Sequence, residues 1–180
     1  MDIKRFWKLI EQSRRVIDPD NADGNMERQA QELSVLLSRL SPDELVSFDE
    51  HLTRLLKQAY DWKLWAAAYL LGEGCSDDGF MDFRSWLISM GRKVYERALA
   101  DPDSLASVVR RPEIEDFFFE GLSYVVYEVY EQKTGQEMPP GPLTYPESPT
   151  GTKRSLDDEV GYFKREFPRL WAIRAKSWRD

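Results

Sequence analysis

The run Ser41-Pro42-Asp43-Glu44-Leu45-Val46-Ser47-Phe48, continuing to Leu52, Leu55 and Leu56, decides the class of fold. Ser41 can accept a bond from the backbone N–H three residues on, and Glu44 can reach back to the N–H of Ser41, which together make a capping box. Pro42 suits the first helical position, where its missing N–H costs nothing. Leu45, Phe48, Leu52, Leu55 and Leu56 recur at helical spacing, so one stretch carries both a start signal and a buried face. The same spacing extends in both directions. Toward the N-terminus, Met26, Ala30, Leu33, Leu37 and Leu40 form one stripe, and Ile3, Phe6, Trp7, Ile10 and Ile17 another, with Asp2 as N-cap. The turn-forming segment Asp18-Pro19-Asp20-Asn21-Ala22-Asp23-Gly24 divides them.

Toward the C-terminus, Asp61 either starts a fourth helix or lies within one long one that carries Trp62, Trp65, Ala66, Tyr69 and Leu70, and Gly72 and Gly74 end it. The spacing of Phe80, Phe83, Leu87, Met90 and Val94 predicts a helix from about Asp78 to Ala98, with Gly91 inside it. Asp101-Pro102 repeats the cap-plus-proline start, and Pro112 is expected to open a longer helix with Ile114, Phe117, Phe118, Val125 and Val129 inward, closed by Gly135. Residues 136–154 break the pattern, because five of the ten prolines fall between Pro139 and Pro149. A loop of that length is usually a lid, a binding loop or a disordered segment. One or two helices then follow from Leu156, with Val160, Phe163, Phe167, Leu170 and Trp171 inward and Pro168 as a break. No stretch alternates with strand period. The expected fold is all-α: a single globular domain of about six to eight helices over residues 1–180, with a Pro/Gly-rich loop at 136–154 and a basic helical segment at 155–180.

At 180 residues with 42% hydrophobic side chains, the chain can bury a core without disulfide or metal staples. A formal charge of −7 argues against a general affinity for nucleic acid or an anionic membrane. No apolar run approaches the length of a membrane span, and the start Met1–Ile10 interleaves Lys4, Arg5 and Lys8 with Phe6, Trp7 and Leu9, unlike a signal peptide. The single cysteine, Cys75, cannot form an internal disulfide, which points to a reducing cytoplasm. A soluble cytoplasmic protein is expected.

Chemistry-bearing residues concentrate in Gly72-Glu73-Gly74-Cys75-Ser76-Asp77-Asp78-Gly79-Phe80-Met81-Asp82-Phe83-Arg84. Asp78 and Asp82 stand one helical turn apart and share a face, so Asp77, Asp78 and Asp82 are candidate ligands of a divalent cation, and Arg84 and Arg92 candidate contacts for an anionic group. A structural reading competes: Ser76 or Asp78 caps the next helix, and the acids complement its dipole. The Gly72-x-Gly74 pair lacks the preceding strand that a phosphate loop requires. His51 is the only histidine, so triad or zinc chemistry would have to run through it alone. Cys75 beside acids is expected to hold its proton. Glu128 and Glu131 have a spacing used by helical magnesium enzymes, but Asp157, Asp158 and Glu159 do not supply the matching second pair. The C-terminal cations Lys164, Arg165, Arg169, Arg174, Lys176 and Arg179 suit either a partner-binding amphipathic helix or packing onto this acidic domain. Phe117-Phe118-Phe119 cannot all face one core.

Several blocks resemble a known family: Trp65-Ala66-Ala67-Ala68-Tyr69-Leu70, Gly74-Cys75-Ser76-Asp77-Asp78-Gly79-Phe80, Asp82-Phe83-Arg84-Ser85-Trp86-Leu87-Ile88, Gly91-Arg92 and Asp101-Pro102, with Phe6-Trp7 near the start and Phe167-Pro168-Arg169-Leu170 late in the chain. They are similar to the bacterial domain of unknown function 4240, over most of the chain to about residue 130. The resemblance implies a mostly helical, bacterial, cytosolic protein and carries no activity.

The expectations for function follow. The first is a non-enzymatic interaction or regulatory domain that binds a protein or small ligand where the 72–92 segment meets the 136–154 loop. The second is a carboxylate-based, metal-dependent hydrolase or nucleotide-binding enzyme using Ser76–Arg84, and the third an immunity- or antitoxin-like protein. No cofactor is required by the residues present.

Overall fold

The computed structural model describes residues 1–114, 116–141, 146–154 and 158–175. Among these, nine α-helices follow one another: α1 (Ile3–Ser13), α2 (Asn25–Leu37), α3 (Pro42–Gln58), α4 (Trp62–Gly72), α5 (Asp77–Ser89), α6 (Arg92–Ala100), α7 (Gly121–Thr134), α8 (Glu159–Glu166) and α9 (Pro168–Arg174). Short 3-10 turns at Arg14–Val16 and Pro102–Ser107 complete them. The described residues contain no strand, so the fold is all-α, with one helix more than the expected range. No helix among them is long and apolar enough to cross a membrane.

The starts are set by local chemistry. Asp2 accepts from Arg5 N–H, Ser41 and Glu44 form the complete capping box, and Asp61 accepts from the N–H groups of Lys63 and Leu64. Asp61 therefore begins a separate helix. Two expected helices are cut shorter. The 78–98 helix divides into α5 and α6 because Gly91 takes a φ of 89°, a left-handed conformation that other residues resist. The described residues between Pro112 and Glu120 are turn and irregular, and α7 begins only at Gly121. There Asp116 Oδ1 accepts from Phe117 N–H, and Phe119 N–H donates to the carbonyl of Asp82, so the backbone bonds outward to α5 rather than along its own helix.

The centre of the packing is α5, which lies against α1, α3, α4, α6 and α7. Every residue from Phe83 to Ser89 is buried, so the helix has no solvent face over that stretch. A helix of this kind must satisfy its polar side chains internally. Buried side chains of all nine helices join one hydrophobic cluster, with Phe6, Phe48, Phe80, Phe83, Trp86 and Phe163 among its largest members.

The C-terminal helices dock through charge. The buried carboxylate of Asp103 accepts from the backbone N–H groups of Arg169 and Leu170 at 3.1 and 2.8 Å, capping α9 from a distant part of the chain. The Arg169 side chain also pairs with Asp103 and Asp101. Four of the six C-terminal cations are described: Arg169 and, over the Phe117 ring, Arg174 contact earlier parts of the chain, whereas Lys164 lies over Trp171 within the C-terminal segment itself. Lys176 and Arg179 lie outside the described residues.

Replacing Asp103 with Ala removes this cap, and we expect a loss of about 1–2 kcal/mol of stability in urea unfolding. A change below the error of that measurement would show the contact to be idle. Asp49 supplies a pH test. It is buried on α3, and burial pushes its carboxyl above the ordinary range, opposed by a hydrogen bond with Tyr127 and reinforced by Glu50. Such a group holds its proton more tightly in the folded state, so stability falls as pH rises through the raised value. Asp49→Asn should therefore melt higher than wild type at neutral pH, and the gap should close on acidification below the ordinary carboxylate range.

Candidate functional site

The turn between α4 and α5 brings the chemistry-bearing segment together locally, yet its side chains go in different directions. Asp77 and Asp78 are exposed in the first turn of α5, where Ser76 Oγ accepts from Gly79 N–H as N-cap. Asp82 is half-buried, and its carboxyl is raised by burial and then by Glu120 and Asp78. Arg84 is fully buried: Nε donates to the carbonyl of Phe80 at 3.1 Å and Nη1 to that of Leu56 at 2.8 Å. Its guanidinium lies 4.7 Å from the Tyr60 ring centroid and 4.9 Å from that of Phe80. Arg92 is exposed at the start of α6 and pairs with Glu96 at 2.7 Å.

Among the described residues, no three His, Cys, Asp or Glu side chains are grouped so as to hold a metal ion. Glu128 and Glu131 are exposed on α7, Asp158 caps α8, and Glu159 pairs with Arg154. Asp157 lies outside the described residues. The ring nitrogen Nε2 of His51 lies 3.0 Å from the Met1 carbonyl, beside the Phe6 ring.

The loop is pinned to the start of α4, outside the 72–92 segment. Thr150 bridges to Asp61: Trp62 N–H donates to the Thr150 carbonyl and Thr150 N–H to that of Tyr60, both at 2.9 Å. Gly151 follows with φ 77°, and a Cβ there would lie 2.8 Å from Asp61 Oδ2, so the chain passes close only because the residue is glycine. This pin lays Lys153 over the Trp62 ring at 4.9 Å and Arg154 over Tyr69 at 4.4 Å. Beneath them is a cavity of about 220 Å³ lined by Trp62, Trp65, Ala66, Tyr69, Cys75 and the two cations.

Its floor is the face of α4 carrying positions 62, 65, 66 and 69, with the Trp62 and Trp65 rings 9° from parallel and 5.2 Å apart. Trp65 Nε1 donates to the Cys75 carbonyl at 3.1 Å, which fixes the indole and the turn to each other. Burial pushes the Cys75 thiol up to about 12, so it is a protonated wall. Sequence reasoning expected a raised thiol from the neighbouring acids; burial is the larger cause and Asp82 a lesser one. It missed the site-forming role of Trp62, Trp65 and Tyr69, which read as an ordinary buried stripe. A stripe with three large rings on an alanine-rich helix was the available signal. Nothing local marks Lys153 or Arg154.

The fold and this cavity define a helical domain with an aromatic pocket. The chain belongs to the family described as protein of unknown function DUF4240, whose model matches residues 1–132. No curated protein and no solved structure matches it. The match ends within α7, so the aromatic floor lies inside the family region and Lys153 and Arg154 outside it.

Substitutions can separate scaffold from surface here. Arg84→Gln leaves two buried carbonyls poorly paired and should cost about 2–4 kcal/mol. Asp78→Asn removes only a favourable charge near a helix start and should cost at most about 1 kcal/mol. Equal losses in chemical denaturation would contradict this assignment.

Proposed function

We propose that this protein is a non-catalytic binding domain whose α4 cavity takes a small organic anion bearing a flat apolar ring. The observation that carries the reading is the placement of Lys153 and Arg154 over the ring stripe of α4, beside an open apolar cavity. Pockets of this kind bind through apolar walls and orient the ligand through a few polar groups. Trp62, Trp65 and Tyr69 supply the walls. Arg154 is neutralised by Glu159, whereas Lys153 forms no ion pair among the described residues, which leaves its charge for a ligand anion. The protonated Cys75 thiol favours a binding role over nucleophilic chemistry. A lone, half-buried thiol also fits a reducing cytoplasmic setting.

The test follows the indole N–H resonances of Trp62 and Trp65 by NMR during titration with 2-naphthoate and with the neutral 2-naphthamide. Both indole signals should move saturably with naphthoate. Binding should weaken about tenfold with the amide or in Lys153→Glu, a difference of about 1.4 kcal/mol. Shifts that do not saturate, or equal affinity for both compounds in both proteins, would remove the proposal.

A further inference from the structure

A second cavity, of about 340 Å³, opens where the last turn of α5 meets α2 and the chain after α1. Its walls combine an apolar part, which includes Trp86, Met90 and Ile114, with Arg14, Gln29 and three carboxylates. Arg14 follows the end of α1, and its Nη1 donates to the Ser89 carbonyl at 3.3 Å and lies 3.2 Å from Met90 Sδ. Among the described residues no acceptor meets its Nε or Nη2, and no carboxylate comes within ion-pair distance. The group is also substantially desolvated: burial lowers its pKa, Glu113 acts in the opposite sense, and Arg111 adds to the lowering.

Gln29 is 97% buried, since its relative exposure is 3%. Its amide nitrogen donates to Ser89 O at 2.9 Å and Ser13 Oγ at 3.3 Å, and no described donor reaches the amide oxygen. An amide oxygen with no protein donor, on a deeply buried residue in the wall of a cavity, is a place for a ligand N–H. Glu27, Glu113 and Asp116 line the same space, and Arg14 is the only cation among the described lining residues.

The wall therefore presents one forked cation, several acceptors and an apolar surface within a volume suited to a small molecule. A simple anion would face three carboxylates, and a simple amine would face Arg14. A zwitterion matches both. We infer that this cavity binds a free α-amino acid with an apolar side chain, its carboxylate on Arg14, its ammonium toward Gln29 Oε1 and the carboxylates, and its side chain against Trp86, Met90 and Ile114. The inference uses none of the residues of the α4 cavity.

The test is calorimetry and thermal shift on the full chain with the L-amino acids, followed by the methyl ester and the deaminated acid of the one that binds best, with inorganic phosphate as a further probe. At least one apolar amino acid should bind saturably. Its ester, which loses the anion, and its deaminated acid, which loses the cation, should each bind about tenfold more weakly or less. Arg14→Lys should weaken binding because it loses the fork. Glu27→Gln, on an exposed side chain that makes no hydrogen bond or ion pair among the described residues, tests the cation subsite without threatening the fold. Lys153→Glu should leave this binding unchanged while weakening that of 2-naphthoate about tenfold, which separates the two cavities. The inference is overturned if no amino acid binds, if the ester or deaminated acid binds as well as its parent, if phosphate competes with it, if Glu27→Gln and Arg14→Lys both bind as wild type, or if Lys153→Glu removes the binding.

Discussion

A helix buried on all sides has to dispose of every polar group it carries and also of the ends of the helices that stop against it. In this fold those two demands are met together at α5. Arg84 projects from its middle to the carbonyl of Leu56 in the last turn of α3, and Tyr95 Oη donates to the neighbouring Leu55 carbonyl at 2.7 Å. The last carbonyls of a helix have no partner within it. A guanidinium there also faces the negative end of the α3 dipole. The buried charge is thus spread over two carbonyls and two ring faces, and the end of α3 can be dry. α5 solves its own C-terminal end in the same way, with Arg14 and Gln29 on the Ser89 carbonyl.

This arrangement explains why the polar residues of the segment before and within α5 do not act as one site. Arg84 lies in the stretch of α5 that is buried all round, whereas Asp77 and Asp78 lie in its exposed first turn and Asp82 is only half-buried. Proximity in sequence placed them together on paper, whereas the helix separates them. The aromatic floor of α4 is different in kind. Trp62, Trp65 and Tyr69 share a face at intervals of three and four residues, so the helix itself assembles them, and only a covering chain is needed to make a cavity.

Legibility in the sequence followed the range of the interaction. Caps were readable because donor and acceptor sit within three residues: Asp2 with Arg5, Ser41 with Glu44, and Ser76, offered beside Asp78, with Gly79; the Asp61 cap stayed open because the apolar spacing runs on through it. Stripes were readable because burial against any partner gives the same spacing. Gly91 differs from its reading because a glycine within an apolar period is consistent both with a continuous helix and with a break at positive φ, and local sequence does not choose between them. The stretch from Pro112 was misjudged for a related reason. Its apolar residues are spaced like a helix, but Phe119 N–H bonds to α5, and Phe118 sits with its ring against Gly72 of α4. The covering role of Lys153 and Arg154 depends on a bridge across 89 residues, from Asp61 to Thr150.

That bridge also sets how the chain divides its labour. The family region supplies α1 to α6, most of α7 and with them the buried α5 and the ring-bearing face of α4. The chain beyond it returns over that face and is held there at three independent points: the Thr150–Asp61 bridge, the Lys63–Glu166 ion pair at 3.2 Å, and the Asp103 cap on α9. The first two join late residues to the start of α4, and the third joins α9 to the Pro102–Ser107 turn. Lys153 and Arg154 follow the first of these anchors within four residues, and both lie over the rings of α4. An exposed lysine on a free loop would contribute little to orienting a ligand, because ordering it costs as much as a surface ion pair gains. Held in advance, the same charge meets a ligand with that entropy already lost. The aromatic face can belong to a family at large, while the charge laid over it is set by the part of this chain that lies outside the family match.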